Sequence, residues 1–152
     1  MIGKVRWCGA LLAVAACTGT PSHEAAESEV TAALAAYNEL VLAMAGDRIA
    51  DTYTADGEMQ DAGQPAIIGP EAIKSHLASF ADFKVLANRL TADSTTVDAD
   101  TASQRGTYWQ RVRLPSGETV EVQGLFEAVW LRTAPGQWKL RRMATMRPAG
   151  AP

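Results

Sequence analysis

The chain has 152 residues, a length that suits one domain with its own core and leaves little room for two. With 47% hydrophobic and 20% charged residues, the composition is that of a globular protein and not of a disordered chain. The net charge is −3, and no basic patch interleaved with aromatic residues occurs, which argues against nucleic acid as a partner.

The first 16 residues have the features of a secretory signal peptide. Lys4 and Arg6 give a basic start, and the apolar run over residues 8–16 is too short to cross a bilayer as a permanent helix. Residues 14–17 (VAAC) resemble the lipobox of bacterial lipoproteins, which implies cleavage before Cys17 and acylation of its thiol. A lipid anchor of this kind would hold the protein outside the cytoplasm, in the bacterial cell envelope. An ordinary signal peptide that happens to end in Cys, or an N-terminal core helix, remains the alternative.

Residues 17–27 are predicted to form a lipidated tether, and residues 28–148 the folded domain. A helix is expected over residues 28–45, with Ser28 as its N-cap. Its buried face is indicated by apolar residues at spacings of three and four, namely Val30, Leu34, Tyr37, Val41 and Met44. A second, shorter helix is expected to be capped by Asp47 and to run to Tyr53.

The middle of the chain alternates between breaks and short elements. A turn is predicted at Asp56-Gly57, followed by a strand over residues 58–61. Gly69-Pro70 opens a third helix, because proline at the first helical position gives up no needed amide donor. Strands are then expected over residues 83–90 and 95–97, separated by a bend at residues 92–94.

Residues 101–147 predict three consecutive antiparallel strands, with turns at LPSGE and APGQ. One face of the middle strand is apolar at Val120, Val122, Phe126 and Trp130; the other becomes apolar towards its end. Such a strand needs cover on both sides, from helices or from a second copy of the chain. The order of elements predicts an α+β domain with helices on one face of a curved sheet.

Three segments resemble the SnoaL-like branch of the nuclear transport factor 2-like superfamily. They are AGDRIADTYTADGEMQD, IIGPEAIKSHL and FEAVWLRTAPGQWKLRRM, in that order. The resemblance implies a cone, in which a curved antiparallel sheet wraps around three N-terminal helices and encloses a pocket, often in a homodimer. It does not imply one function, since members include isomerases, cyclases, dehydratases and non-catalytic binding domains.

Asp61 is the candidate general base. DGEMQD resembles in its spacing the segment in which ketosteroid isomerases of this superfamily place their catalytic Asp. Those enzymes also use a Tyr and a protonated Asp to stabilise the enolate. Tyr37 and Glu127 stand near these donor positions, each out of register with the family pattern. The alternative for Asp61 is a carboxylate that caps a loop.

Further candidates would line the pocket. His76 is expected to be a general acid or base, or else a partly buried helix residue at the pocket rim. Large side chains are expected in the core and, where the pocket is open, against a flat apolar ligand: Tyr53, Tyr108, Trp109, Phe126 and Trp130. No metal and no cofactor is expected, because His, Cys, Asp and Glu do not cluster at ligand spacing.

The sequence therefore predicts a lipid-anchored domain that binds a small, largely apolar molecule in its cone without catalysis. One alternative is a proton-transfer enzyme with Asp61 as base and Tyr37 or Glu127 as donor. The other is a structural or accessory subunit of an envelope complex that associates through its sheet face.

Overall fold

A computed structural model describes residues 22–148. The signal segment, Cys17 and the first part of the tether lie outside the described residues. Along the chain the elements are α1 (His23–Leu42), α2 (Gly46–Ala50), β1 (Tyr53–Gln60), β2 (Ile67–Ile68), α3 (Pro70–Ala78), β3 (Lys84–Asp98), β4 (Thr101–Arg113), β5 (Thr119–Ala134) and β6 (Gln137–Met146).

Helix α1 begins earlier than the sequence pattern indicated. Its N-cap is Ser22, whose side chain accepts a hydrogen bond from the backbone N–H of Ala25 at 3.2 Å. The prediction of Ser28 as N-cap is wrong, because the segment HEAAE contains only residues that a helix tolerates well and continues the helix back to Ser22. Residues 23–27, expected in the tether, are therefore helical. The predicted buried face is confirmed by Val30, Leu34 and Tyr37.

Asp47 was predicted to cap α2, but it forms an ion pair that links α2 to α3 instead. Asp47 does not cap α2, whose N-cap is Ala45 without a side-chain bond. Its carboxylate instead lies 3.1 Å from the Lys74 ammonium group of α3. Helix α3 begins with Pro70, as predicted, and buries Ile73 completely.

The predicted turn at Asp56-Gly57 lies inside β1. The pairing of β1 with β6 shifts in register between Tyr53 and Glu58, so this dipeptide forms an irregular stretch of strand. A Cβ atom added at Gly57 would lie 2.8 Å from the backbone oxygen of Leu140. Glycine is therefore needed here because β1 passes close to the neighbouring strand, and not because the chain turns.

The two strands predicted around residues 92–94 are one continuous strand, β3. Its register against β4 shifts between Ala92 and Ser94, which marks a β-bulge. The polar residues that suggested a bend are thus accommodated without ending the strand, because a bulge inserts an extra residue while pairing continues on both sides.

The six strands form one sheet in the order β2-β1-β6-β5-β4-β3. Pairing is antiparallel from β3 through β6, which confirms the three C-terminal strands and the curved sheet. Strand β1 runs parallel to β6, a pairing that the sequence pattern did not indicate.

The core lies between the three helices and one face of this sheet, called the inner face below. The largest fully buried side chains are Trp130, Tyr53, Phe126, Ile73, Leu140, Gln104 and Val30. Gln104 is the buried polar member, and its side-chain oxygen accepts a hydrogen bond from Trp130 Nε1 at 3.0 Å. The opposite face, called the outer face, carries Leu125, Glu127 and Val129, because side chains alternate along β5.

Candidate functional site

Asp61 lies directly after β1 and faces the last turn of α3. One oxygen of its carboxylate is 3.3 Å from His76 Nε2. The Asp61 side chain is 50% exposed and that of His76 is 27% exposed, so both can be reached from solvent. The adjacent backbone N–H of Ala62 donates to Thr145 Oγ1 at 3.0 Å and ties this corner to β6.

Tyr108 approaches the same corner from β4. It is paired across the strands with Gly124, and its ring lies over that glycine: a Cβ atom added there would be 2.7 Å from Tyr108 Cε1. Burial, followed by the negative charge of Asp61, raises the pKa of Tyr108, and the nearby Thr145 hydroxyl opposes the rise. We call Asp61, His76, Tyr108 and Thr145 the Asp61 cluster.

Two further phenol side chains, those of Tyr37 and Tyr53, lie in the core near this cluster. The hydroxyl oxygens of Tyr37 and Tyr53 are 3.1 Å apart, and the rings meet edge to face. Burial raises the pKa of Tyr37 to about 12; the bond with Tyr53 opposes this rise and the charge of Asp61 adds to it. Burial also raises the pKa of Tyr53 well above its usual value, with Tyr37 and Asp61 contributing. Both hydroxyls therefore stay protonated at neutral pH.

Glu127 is not brought together with Tyr37. It lies on the outer face, where its carboxylate accepts a hydrogen bond from Arg105 Nε at 2.8 Å. Its neighbour Phe126 points into the core, and a strand sends successive side chains to opposite faces. The Asp, Tyr and Glu of the resemblance consequently do not converge on one point.

Asp61 and Glu127 nevertheless share the rim of an open depression of about 610 Å³. It lies along β1 and β6, and its lining includes Gln60, Arg142, Thr145 and Arg147. Ala144 and Met146 also line it, so the depression at Asp61 has both polar and apolar walls. This depression differs from the apolar cone interior that the sequence suggested.

The aromatic candidates separate into three groups. Tyr53, Phe126 and Trp130 are each 1% exposed and are packed in the core. Trp109 lies on the outer face, where its Nε1 donates to Glu121 at 3.3 Å and the Arg89 guanidinium lies 6.0 Å from its ring. Only His76 and Tyr108 of this set belong to the Asp61 cluster.

Sequence reasoning missed Thr145 and Gly124. Thr145 is one small polar residue within a strand, and Gly124 interrupts an apolar stripe without any turn signal. Their roles follow from cross-strand register, since Tyr108 pairs with Gly124 and Phe126 with Thr145.

Neither a metal site nor a membrane span is found over residues 22–148. In that range no three His, Cys, Asp or Glu side chains are placed to hold an ion. No helix of the same range is long and apolar enough to cross a bilayer.

A family model described as the SnoaL-like domain matches residues 23–144. Comparison with curated proteins gives no match. Among solved structures, a ketosteroid isomerase-like protein from Erwinia carotovora atroseptica is similar at 20% identity and a TM-score of 0.72, over 83% of this chain and 97% of that one.

Two further solved structures are also similar. A nuclear transport factor 2-like superfamily protein from Salmonella enterica serovar Typhimurium has 12% identity and a TM-score of 0.72, over 86% of this chain and 96% of that one. A protein of the same kind with a cystatin-like fold, from Novosphingobium aromaticivorans, has 23% identity and a TM-score of 0.63, over 82% of each chain. At these identities the likeness shows the fold alone.

Proposed function

Because this chain belongs to the SnoaL-like domain family, we propose that it binds a small organic molecule at the Asp61 cluster. The observation that carries the proposal is the half-exposed Asp61 carboxylate beside His76, at the rim of a depression of about 610 Å³. A depression of this volume is in the range that holds small ligands. Since the lining is polar at Asp61 and apolar at Ala144 and Met146, the ligand combines an apolar body with a hydrogen-bonding group.

Binding without turnover is favoured by the placement of the other expected groups. The Tyr37 hydroxyl is buried against Tyr53, and Glu127 is paired with Arg105 on the outer face. Stabilisation of a developing oxyanion requires donors already aimed at the place where the charge forms. Neither residue meets that requirement beside Asp61.

A titration of small carbonyl, hydroxyl and carboxyl compounds, followed by protein NMR, tests the binding proposal. Asp61→Asn should weaken or abolish the shifts caused by the compounds that bind. Asp93→Asn, the same change at an exposed position of β3, should leave them unaltered. Equal binding by wild type and Asp61→Asn would refute the site.

Proton transfer at an activated carbon, as in an isomerase, cyclase or dehydratase, is the second candidate. It is favoured by the contact of the Asp61 carboxylate with His76, since a carboxylate beside an imidazole can move a proton. Exchange of solvent deuterium into enolisable ketones would reveal it. Asp61→Asn should stop such exchange, and its absence in the wild type over many compounds would exclude this candidate.

We also propose that Cys17 is acylated and anchors the domain in the bacterial cell envelope, on the extracytoplasmic side. The support is the VAAC sequence and the basic start of the signal segment. Labelled palmitate should be incorporated by the wild-type chain in a bacterial host and not by Cys17→Ser. Labelling that survives this substitution would contradict the anchor.

Association through the outer face is a third proposal, either with a second copy or within an envelope complex. Leu125 and Met146 are paired across β5 and β6 and are each 41% exposed. Exposed apolar neighbours of this kind favour a protein contact. Leu125→Lys should shift sedimentation towards a monomer, whereas Ile68→Lys, on the edge strand β2, should not. A monomeric wild-type protein would exclude the homodimer.

A further inference from the structure

Two arginines line the depression beside Asp61 without forming an ion pair there. They are Arg142 of β6 and Arg147, which directly follows that strand. Among residues 22–148, no ion pair includes either of them. Glu58 is the cross-strand neighbour of Arg142 in β1, and it too stays outside these pairs. The charge of both guanidinium groups is therefore available to an anion in the depression.

The carboxylates that line the depression already have partners of their own. That of Asp61 lies 3.3 Å from His76 Nε2, and that of Glu127 accepts a hydrogen bond from Arg105 Nε at 2.8 Å. Because Arg105 offsets the charge of Glu127, the two lining arginines face only the carboxylate of Asp61. The depression thus carries an excess of positive charge, which favours a negatively charged ligand.

The Arg142 guanidinium is held on one side and lacks an acceptor on another. Its Nη2 donates to Gln60 Oε1 at 2.9 Å. Its Nε is shielded from solvent and has no hydrogen-bond acceptor among the residues that the structure describes. A buried donor of a charged group that stays unpaired costs free energy. A carboxylate is the acceptor that fits the planar fork of a guanidinium best, and its bonds to arginine are among the strong ones.

We propose that Arg142 is the anion-recognition group of this depression, and that the ligand is a small hydroxy carboxylic acid with an apolar body. The ligand carboxylate accepts hydrogen bonds from the Arg142 guanidinium, and Arg147 adds positive charge at the rim. The ligand hydroxyl donates to the Asp61 carboxylate, and the apolar body contacts Ala144 and Met146. This inference rests on the proposed ligand-binding function and specifies its ligand class.

Two probes that differ in charge test this proposal: para-hydroxybenzoate and its methyl ester. Both present the same ring and hydroxyl, but only the acid carries a carboxylate at neutral pH. Each probe is titrated into the full chain, and Kd is measured by NMR. The wild type should bind the acid about tenfold more tightly than the ester, the gain expected for a hydrogen bond between charged groups.

Arg142→Met removes the guanidinium and keeps a flexible, unbranched side chain. It should weaken the acid about tenfold and leave the ester within about twofold. Arg113→Met is the matched control, because Arg113 is exposed on β4 and does not line the depression. It removes the same charge at a distance and should change each Kd by less than about twofold. Thermal unfolding establishes that each variant is folded.

Gln60→Glu tests the same point without removing the arginine. It places a carboxylate where Gln60 Oε1 accepts from Arg142, so the chain itself supplies the anion. The acid should again bind about tenfold more weakly, while the ester stays within about twofold of the wild type. If Arg142→Met fails to fold, Gln60→Glu decides the matter.

Asp61→Asn separates this inference from the function on which it rests. It should weaken the ester about tenfold, because the ester hydroxyl loses a charged acceptor. It should weaken the acid by less, because it also removes a like charge. If the ester is weakened in this way but Arg142→Met binds the acid as tightly as the wild type, the role of Arg142 is overturned and the site is retained.

Three other outcomes also count against the inference. Equal weakening of acid and ester in Arg142→Met would mean that Arg142 does not recognise the carboxylate. Unchanged affinities in both Arg142→Met and Asp61→Asn would overturn the inference and the binding site together. If neither probe binds the wild type while other compounds bind in an Asp61-dependent way, the ligand class is wrong and the binding function stands.

Discussion

The hydroxyl oxygens of Tyr37 in α1 and Tyr53 in β1 lie 3.1 Å apart inside the core. Burial raises the pKa of Tyr37 to about 12 in the folded chain, whereas the tyrosines of an unfolded chain have a pKa of about 10. Above that value the unfolded chain loses the Tyr37 proton and the folded chain keeps it. The free energy of unfolding should therefore fall as pH rises from about 10 to about 12.

The expected loss from Tyr37 alone is on the order of 3 kcal/mol across this range. It can be measured by urea unfolding at a series of alkaline pH values, with tyrosinate absorbance as the second readout. Tyr37→Phe should show a shallower decline than the wild type, since it removes one of the raised groups. Stability that stays constant up to pH 12 would contradict the burial of these hydroxyls.

Glu29 links the start of α1 to the sheet through two hydrogen bonds. Its Oε2 accepts from Arg132 Nη1 at 2.8 Å and from Trp138 Nε1 at 2.9 Å, and the Arg132 guanidinium lies 4.3 Å from the Trp138 ring centre. Glu29→Ala would leave the indole N–H of Trp138 without its acceptor, and the largely buried Arg132 guanidinium would keep only its longer contact with Asp100, at 3.5 Å. We expect a loss of about 2 kcal/mol in the free energy of unfolding.

Urea unfolding of Glu29→Ala measures this loss, and Glu39→Ala provides the matched control. Glu39 lies on the exposed side of the same helix, so its removal should change stability by less than about 0.5 kcal/mol. Equal effects of the two substitutions would mean that the contacts of Glu29 contribute nothing measurable.

Gln104 connects two neighbouring strands from within the core. It is 0% exposed, accepts from Trp130 Nε1 at 3.0 Å and donates to Thr95 Oγ1 at 3.2 Å. Gln104→Leu keeps the volume but leaves the indole N–H unpaired, which should cost about 2 kcal/mol. Gln110→Leu, at a half-buried position of the same strand, should cost clearly less in the same unfolding experiment.

Gly124 should not tolerate a larger residue. A Cβ atom there would clash with the backbone oxygen of Met146 and approach Tyr108 Cε1 to 2.7 Å. Gly124→Ala is expected to destabilise the protein by about 3 kcal/mol and to displace the Tyr108 ring. Thermal unfolding and the aromatic NMR signals of Tyr108 would report the two effects.

Gly46→Ala is the control for Gly124→Ala, because a Cβ atom at Gly46 meets only Leu77 Cβ at 3.4 Å, an ordinary contact distance. It should leave stability nearly unchanged. A Gly124→Ala variant as stable as Gly46→Ala would disprove the close packing of Tyr108 on β5.

Periodic patterns predicted the helices and the last three strands well. The helical spacing of Val30, Leu34 and Tyr37 identified the buried face of α1, because a helix must turn one stripe to the core. The strand predictions were wrong where residues that usually mark a turn have another structural role. Asp56-Gly57 is a common turn signal, but here the absent Cβ serves the close approach of β1 to Leu140.

The site was predictable only in part. A local motif made Asp61 a candidate, and the structure places it directly after β1, as that motif implies; its role stays a prediction. Glu127 failed to join Tyr37 because a register change of one residue moves a side chain to the other face of the sheet. The packing of the Tyr108 ring over Gly124 depends on the register of two neighbouring strands, and no single segment carries that information.

The parallel pairing of β1 with the last strand has a consequence for the order of assembly. Glu58 in β1 pairs with Arg142 in β6, so strands from opposite ends of the domain are neighbours in the sheet. β1 can pair with β2 as soon as both have been synthesised, but its other edge has no partner until β6 follows. Because pairing between residues far apart in sequence slows folding, we expect the pairing of β1 with β6 to be a late folding step. A nascent chain stalled before Gln137 would expose the edge of β1 that faces β6 to chaperones and proteases.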